Sequence, residues 1–212
     1  MSEMINVTVA PVNSEYHEIL NSSTDYPVQP AVNPSDLVLL HITVLQTKAI
    51  QCTMIVKDLA ADIHGDIQKW NGIHLHGLSI IKSITAMKTD DSFSEGLQDL
   101  CDQLEGDVDQ LDSIVERLNR AVSQIKTVAL LQTIQDKLFV TWRVEHFVKA
   151  VEQIHEAYKE ELELKRKILE NVAHGSSDSW KMLHLAAWVH QPMIPHNLHV
   201  TLESLLVETG HR

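Results

Sequence analysis

The sequence predicts an all-α protein: an elongated helix bundle with antiparallel coiled-coil segments and a small C-terminal helical cap. Three observations predict it. The whole span from Ser35 to Gln191 is free of proline, because four of the six prolines precede Ser35 and the others are Pro192 and Pro195; a stretch that long with nothing to break the i→i−4 ladder reads as long helices. Between Phe93 and Gln132, Leu97, Leu104, Leu111, Leu118 and Ile125 recur every seven residues, and Cys101, Val108, Val115, Val122 and Ala129 each follow four residues later, a d-to-a alternation over about five heptads. With 212 residues and 44% apolar content, the chain can bury a sizeable core.

The elements follow in order. Residues 1–34 hold Pro, Asn and Ser, no basic residue and no hydrophobic period, and read as a disordered or loosely ordered leader. Residues 35–174 form the long-helix bundle and 175–212 the short-helix cap. A first helix carries Leu59, Ile63, Ile67, Trp70, Ile81 and Ile84, with His74 and Gly77 interrupting the stripe. Ala49 and Val56 extend its seven-residue series towards Pro34, while the β-branched run Val38 to Val44 fits a strand equally well. In the second helix Leu100, Ile114, Ala121 and Val128 fall at g and widen the stripe beyond a two-residue seam, so it predicts packing against two neighbours.

A third helix runs from Val144 to Val172 with Phe147, Val151, Ile154, Tyr158, Leu162, Ile168 and Leu169 on one side. Its other face reads as solvated, Glu161 with Lys165 and Glu163 with Lys167 being i,i+4 pairs of about 0.3 kcal/mol each. Gly175 reads as its C-cap. A short helix from Asp178 or Ser179 carries Trp180, Leu183, Ala187 and Trp188 and ends before Pro192. The last helix, Asn197 to Glu208, closes with Gly210.

Composition excludes several functions. Cys52 and Cys101 lie far apart with no CxxC or Cys/His finger pattern, which suits a reduced compartment and no zinc ribbon. The net charge is −12, and residues 90–120 hold ten Asp or Glu against Arg117 and Arg120, so direct nucleic-acid binding is not expected. The acidic run Asp99 to Asp112 repeats as a solvated helix flank. No basic residue precedes Lys48, unlike a secretory or transit signal. Leu37 to Ile55 is the most apolar stretch, yet it contains His41, Gln46, Lys48 and Gln51, and a mid-membrane charge costs about 3 kcal/mol; no membrane span is expected.

Thirteen histidines invite a metal, but His74 and His76 at i and i+2 of a helix point to different faces, and HExxH is absent; neither metal nor cofactor is expected. GxGxxG, GxxxxGKS and GxSxG are missing. No catalytic residue is assigned, and the chain reads as non-enzymatic. Trp142, Trp180 and Trp188 fit either core or interface anchors. Lys181 to Leu185 matches a loose basic docking pattern inside a helix, and no Ser-Pro or Thr-Pro is present.

Thr141-Trp142, His146-Phe147, Glu156, Tyr158, Glu161-Leu162, Leu164-Lys165-Arg166, Ala173-His174, Trp188 with His190-Gln191-Pro192, and the closing Leu202-Glu203-Ser204, Leu206 and Glu208-Thr209-Gly210-His211-Arg212 resemble the cyclin-dependent kinase 2-interacting protein family. A weaker echo lies in Lys57-Asp58, Ala60-Ala61-Asp62, His64 and Lys69-Trp70. The resemblance implies a nuclear adaptor that links cell-cycle kinases to DNA replication and genome-maintenance complexes; the missing targeting signal leaves the cytoplasm as a second location. An alternative role it implies is as a helical subunit of an AAA-type ATPase assembly in ribosome maturation. Two sets of partner-binding candidates follow. The heptad set, which would engage a helical partner, is Leu97, Leu104, Leu111, Leu118 and Ile125. The cap set is Trp188, His190, Gln191, Pro192, Leu202, Glu203, Glu208, Gly210, His211 and Arg212.

Overall fold

A computed structural model describes residues 33–89, 95–131 and 139–212, so the leader read over 1–34 lies outside the described residues except for its last two. The chain divides into two units, Met1–Ile42 and Thr43–Arg212. Its five helices are α1 (Pro34–Met87), α2 (Leu97–Leu131), α3 (Val144–Asn171), α4 (Asp178–His190) and α5 (Leu198–Glu208). There is no strand among the described residues. The fold is all-α.

In the first unit, Pro34 opens α1, a position where its missing N–H is not needed. The Asn33 carboxamide caps that turn by accepting from the Ser35 N–H at 3.2 Å. The run Val38 to Val44, ambiguous by residue type, is helical. Each β-branched residue costs only a few tenths of a kcal/mol in a helix, and proline-free chain continues behind it.

In the second unit, α1, α2 and α3 form an up-down-up bundle. Asp66 meets Arg117 at 2.8 Å and His76 meets Asp107 at 2.8 Å, a register that fits α1 and α2 only if they are antiparallel. The pairs Asp112–Arg166 (2.6 Å) and Lys126–Glu152 (2.7 Å) set α2 antiparallel to α3 in the same way. Thus α2 faces both neighbours, as its wide stripe predicts. Leu97, Leu104, Leu111, Leu118 and Ile125 are buried together with Val108, Val115 and Val122, and the g-position residues Ile114, Ala121 and Val128 join them. Each such leucine removes apolar surface worth roughly 1.5–3 kcal/mol.

Three local readings are corrected by the packing. Glu161 and Lys165 do not lie on a solvated face: both side chains are fully buried, because α3 carries α2 on one side and α1 with α4 on another, and only the stripe through Lys149, Glu156, Glu163 and Lys167 faces water. Asp107, read as part of the acidic flank, is buried against His76. Gly175 does not cap α3, whose C-cap is Val172. A Cβ at Gly175 would lie 2.2 Å from Trp180 Cδ1, so glycine is needed there for close approach of the indole.

The cap begins where Ser177 accepts from the Trp180 N–H at 3.3 Å, an N-cap for α4. It closes at Gly210, whose φ of +75° permits the paired bonds His211 N–H to Leu206 O and Gly210 N–H to Val207 O. That is the hydrogen-bond pattern of a Schellman motif.

Candidate functional site

The C-terminal cap is clamped to the bundle at a buried polar node. Trp188, fully buried on α4, inserts beside Gly77 of α1; a Cβ at Gly77 would sit 2.4 Å from the indole Cζ2. The interruption of the α1 stripe at Gly77 is therefore the notch for a tryptophan 111 residues later. Trp188 Nε1 donates to the His74 carbonyl at 3.0 Å, and its ring stacks on the His74 imidazole. The Lys165 ammonium lies 4.0 Å from the Trp188 ring centroid, 3.2 Å from Glu161 Oε1 and 3.3 Å from His74 Nδ1. The second Glu161 oxygen accepts from the Met193 N–H at 3.1 Å, so one ion pair ties α1, α3, α4 and the following turn.

Burial dominates the electrostatics of this node. It lowers Lys165 to about 8, with Glu161 pulling the other way. It lowers His74 to about 4, with help from the Lys165 charge. It raises Glu161 above the usual carboxylate value, against the opposing effects of Lys165 and the Met193 N–H. Tyr158 is pushed up to about 12 by burial and then by Glu161. These groups face one another in packed core, an arrangement that holds elements together by mutual solvation.

Two further ties fix the chain end. Gln191 adopts a left-handed conformation (φ 42°) and its carboxamide oxygen accepts from Trp70 Nε1 at 2.8 Å. Glu208 accepts from the Thr141 N–H, from the Thr141 hydroxyl at 2.8 Å and from the Trp142 N–H at 2.7 Å. Its carboxylate thereby serves the entry to α3, where the N-cap Arg143 makes no side-chain cap bond. His211 Nε2 bonds the Lys57 carbonyl at 2.9 Å, and Arg212 pairs with Glu203.

The chain as a whole is similar to known proteins. The chain is 30% identical over 188 residues to "Cyclin-dependent kinase 2-interacting protein" of Mus musculus, with 74% of this chain and 89% of the relative covered. The proteins of that name from Bos taurus and Homo sapiens are 29% identical over the same length, with the same shares. The chain belongs to the cyclin-dependent kinase 2-interacting protein family. No protein-family model matches it.

As a member of that family the chain has its predicted partner-binding residues in two different settings. The heptad residues Leu97, Leu104, Leu111, Leu118 and Ile125 all lie in the core of the chain's own bundle. Of the cap set, Trp188, Leu202 and Glu208 are buried, Gln191 and Glu203 are half-buried, and His190, Pro192, Gly210, His211 and Arg212 are exposed. Trp180 is partly exposed and Trp142 half-buried. His74 and His76 do point apart, one to Lys165 and Trp188, the other to Asp107.

Sequence reasoning missed an apolar surface on this family member. In the second unit, Val44, Ile50, Met54 and Ile55 of α1 are between 42 and 62% exposed, although Cys52 and Val56 beside them are buried. The α1–α2 register places Leu131 near Cys52, and Leu130 and Leu131 are exposed at 87 and 59%. One end of the bundle thus carries a cluster of unburied side chains. In the first unit Leu37, Val38, Leu39, Leu40 and Ile42 are exposed as well. By length and composition alone α1 is apolar enough to cross a membrane. The signal is legible in the sequence, since Leu37 to Ile55 is its most apolar stretch, but apolarity alone does not separate a membrane span from a protein-docking face.

Proposed function

We propose that this chain is a non-enzymatic nuclear adaptor that binds a cyclin-dependent kinase and links it to DNA replication and genome-maintenance complexes. Its kinship to proteins named for interacting with cyclin-dependent kinase 2 supports the kinase. The exposed apolar side chains of α1 from Val44 to Ile55 carry the reading that it docks other proteins. Exposed apolar clusters of this kind mark interaction sites, and four large aliphatic side chains within twelve residues provide the apolar centre of a helix-in-groove contact. We read the seams between α1, α2 and α3 as antiparallel coiled-coil packing within the chain, which leaves this end of the bundle to receive a partner helix.

The test is capture of purified cyclin-dependent kinase 2 by the full chain and by the Ile50→Asp/Met54→Asp variant. The expected outcome is loss of capture by the variant with an unchanged circular-dichroism spectrum and melting point, because both side chains are on the surface. Equal capture by both proteins overturns the docking role of α1.

A further inference from the structure

A groove of about 390 Å³ lies between α1, α3 and the cap, with Ile67, Ile154, Tyr158, Leu198 and Leu202 among its lining residues. That volume accommodates one or two side chains of a ligand. Those five residues are buried, so they form an apolar floor. Around them stand His64, His190, His196, His199 and Arg212, with Glu203 as the single carboxylate of the lining. Glu203 is already held by Arg212 and lies 3.7 Å from His199. The lining thus presents four imidazoles beside an Arg212–Glu203 pair that cancels in charge, on a chain whose net charge is −12 with its histidines neutral.

Unused hydrogen-bonding capacity converges on the same groove. His190 and His196 are exposed and make no hydrogen bond or ion pair among the described residues, and Asn71 on the α1 wall is likewise without one. Helix α5 starts at the groove, has no side-chain bond at its N-cap and carries no acidic residue in its first turn. Its N-terminal amides therefore add N–H donors and a partial positive charge at the groove. A small apolar floor under a rim of N–H donors fits an apolar side chain flanked by carboxylates, which only accept hydrogen bonds when ionised. It fits a nucleic-acid strand poorly, because a strand tracks a long basic path and the chain carries a net charge of −12.

We propose that this groove reads a short acidic segment of a partner protein, seating one Leu or Phe on the floor and pairing adjacent Asp or Glu carboxylates with His190, His196 and Arg212. The proposal rests on the adaptor reading but uses a different surface from the apolar end of α1. The experiment is fluorescence polarisation with the full chain and labelled dodecapeptides in which one Leu or Phe lies between Asp and Glu residues. Controls are the same peptides with Asn and Gln replacing the acids, and a labelled 12-nucleotide single strand. The expected result is saturable binding of the acidic peptides, weakened about tenfold by the amide replacements and about tenfold by His190→Ala/His196→Ala, with the melting point unchanged. Three outcomes overturn it: no binding of any acidic peptide, binding that the double variant leaves intact, or preference for the oligonucleotide. The Ile50→Asp/Met54→Asp variant is expected to keep peptide binding while losing kinase capture, so the two readings fail separately.

Discussion

At the scale of single residues, the least expected feature is an ion pair in the core. Removing one partner of Glu161–Lys165 leaves a buried charge alone, so Lys165→Met is expected to cost about 3–5 kcal/mol in urea unfolding, and Glu161→Leu/Lys165→Met is expected to recover most of that loss. The same node makes stability depend on pH. Native His74 stays neutral down to about 4 while the unfolded chain takes its proton near 6.5; unfolding then takes up a proton, and the His74 contribution to stability is lost on acidification through that window, opposed by Glu161, whose raised carboxyl is protonated first in the native state. Lys165 loses its proton near 8 in the native state and near 10.5 when unfolded, so stability rises with pH across that range. Melting curves of His74→Gln should show a flatter acid limb than the parent. Glycines give a second contrast. Gly77→Ala drives a methyl into Trp188 and is expected to cost about 1–3 kcal/mol, whereas Gly72→Ala, with open space around its Cβ inside a helix, is expected to gain about 0.5–1 kcal/mol by the same measurement.

At the scale of elements, α2 is where pattern and packing agree best, because a stripe of leucines and valines has one low-energy destination. Its consequence for experiment is that Leu118→Asp, at a fully buried position, is expected to abolish cooperative unfolding and much of the helical circular dichroism. Loss of partner binding in such a variant reports unfolding, which is why surface positions on α1 are the informative ones. The junction of α5 with α3 offers a subtler case. Glu208→Ala removes a carboxylate that serves two backbone N–H groups and a hydroxyl, and is expected to lower stability by about 2 kcal/mol with little change in helix content. Helix positions were legible because proline, glycine and heptads punctuate them. The buried side of α3 was not, since Glu161 and Lys165 look the same on a solvated face as in a core, and only α1 and α4 arriving from elsewhere decide between them.

At the scale of the whole molecule, the second unit depends on its C-terminal residues. Truncation after Leu202 removes the buried Leu205 and Leu206 along with Glu208, His211 and Arg212. The expected loss is on the order of 5 kcal/mol, read as a shift of the urea midpoint. Kinship was legible in the closing run and the Trp188 to Pro192 segment, where the side chains of Trp188, Gln191, Glu208 and His211 meet partners far away in sequence. The candidate surfaces were less legible. The apolar end of α1 is a matter of what fails to cover it, and the groove beneath α5 exists only once His64, His190, His196 and Arg212 are brought together.

The sequence by itself determined the helices and much of the core, because proline placement, heptad spacing and capping residues act within one or two turns of chain. It determined as well that α2 needs two neighbours. Tertiary structure alone decided that these neighbours are α1 and α3 of the same chain, that a glutamate–lysine pair belongs inside, and that Gly77 is a glycine for the sake of a distant indole. Each of those depends on contacts between residues dozens to more than a hundred positions apart, which no local period encodes.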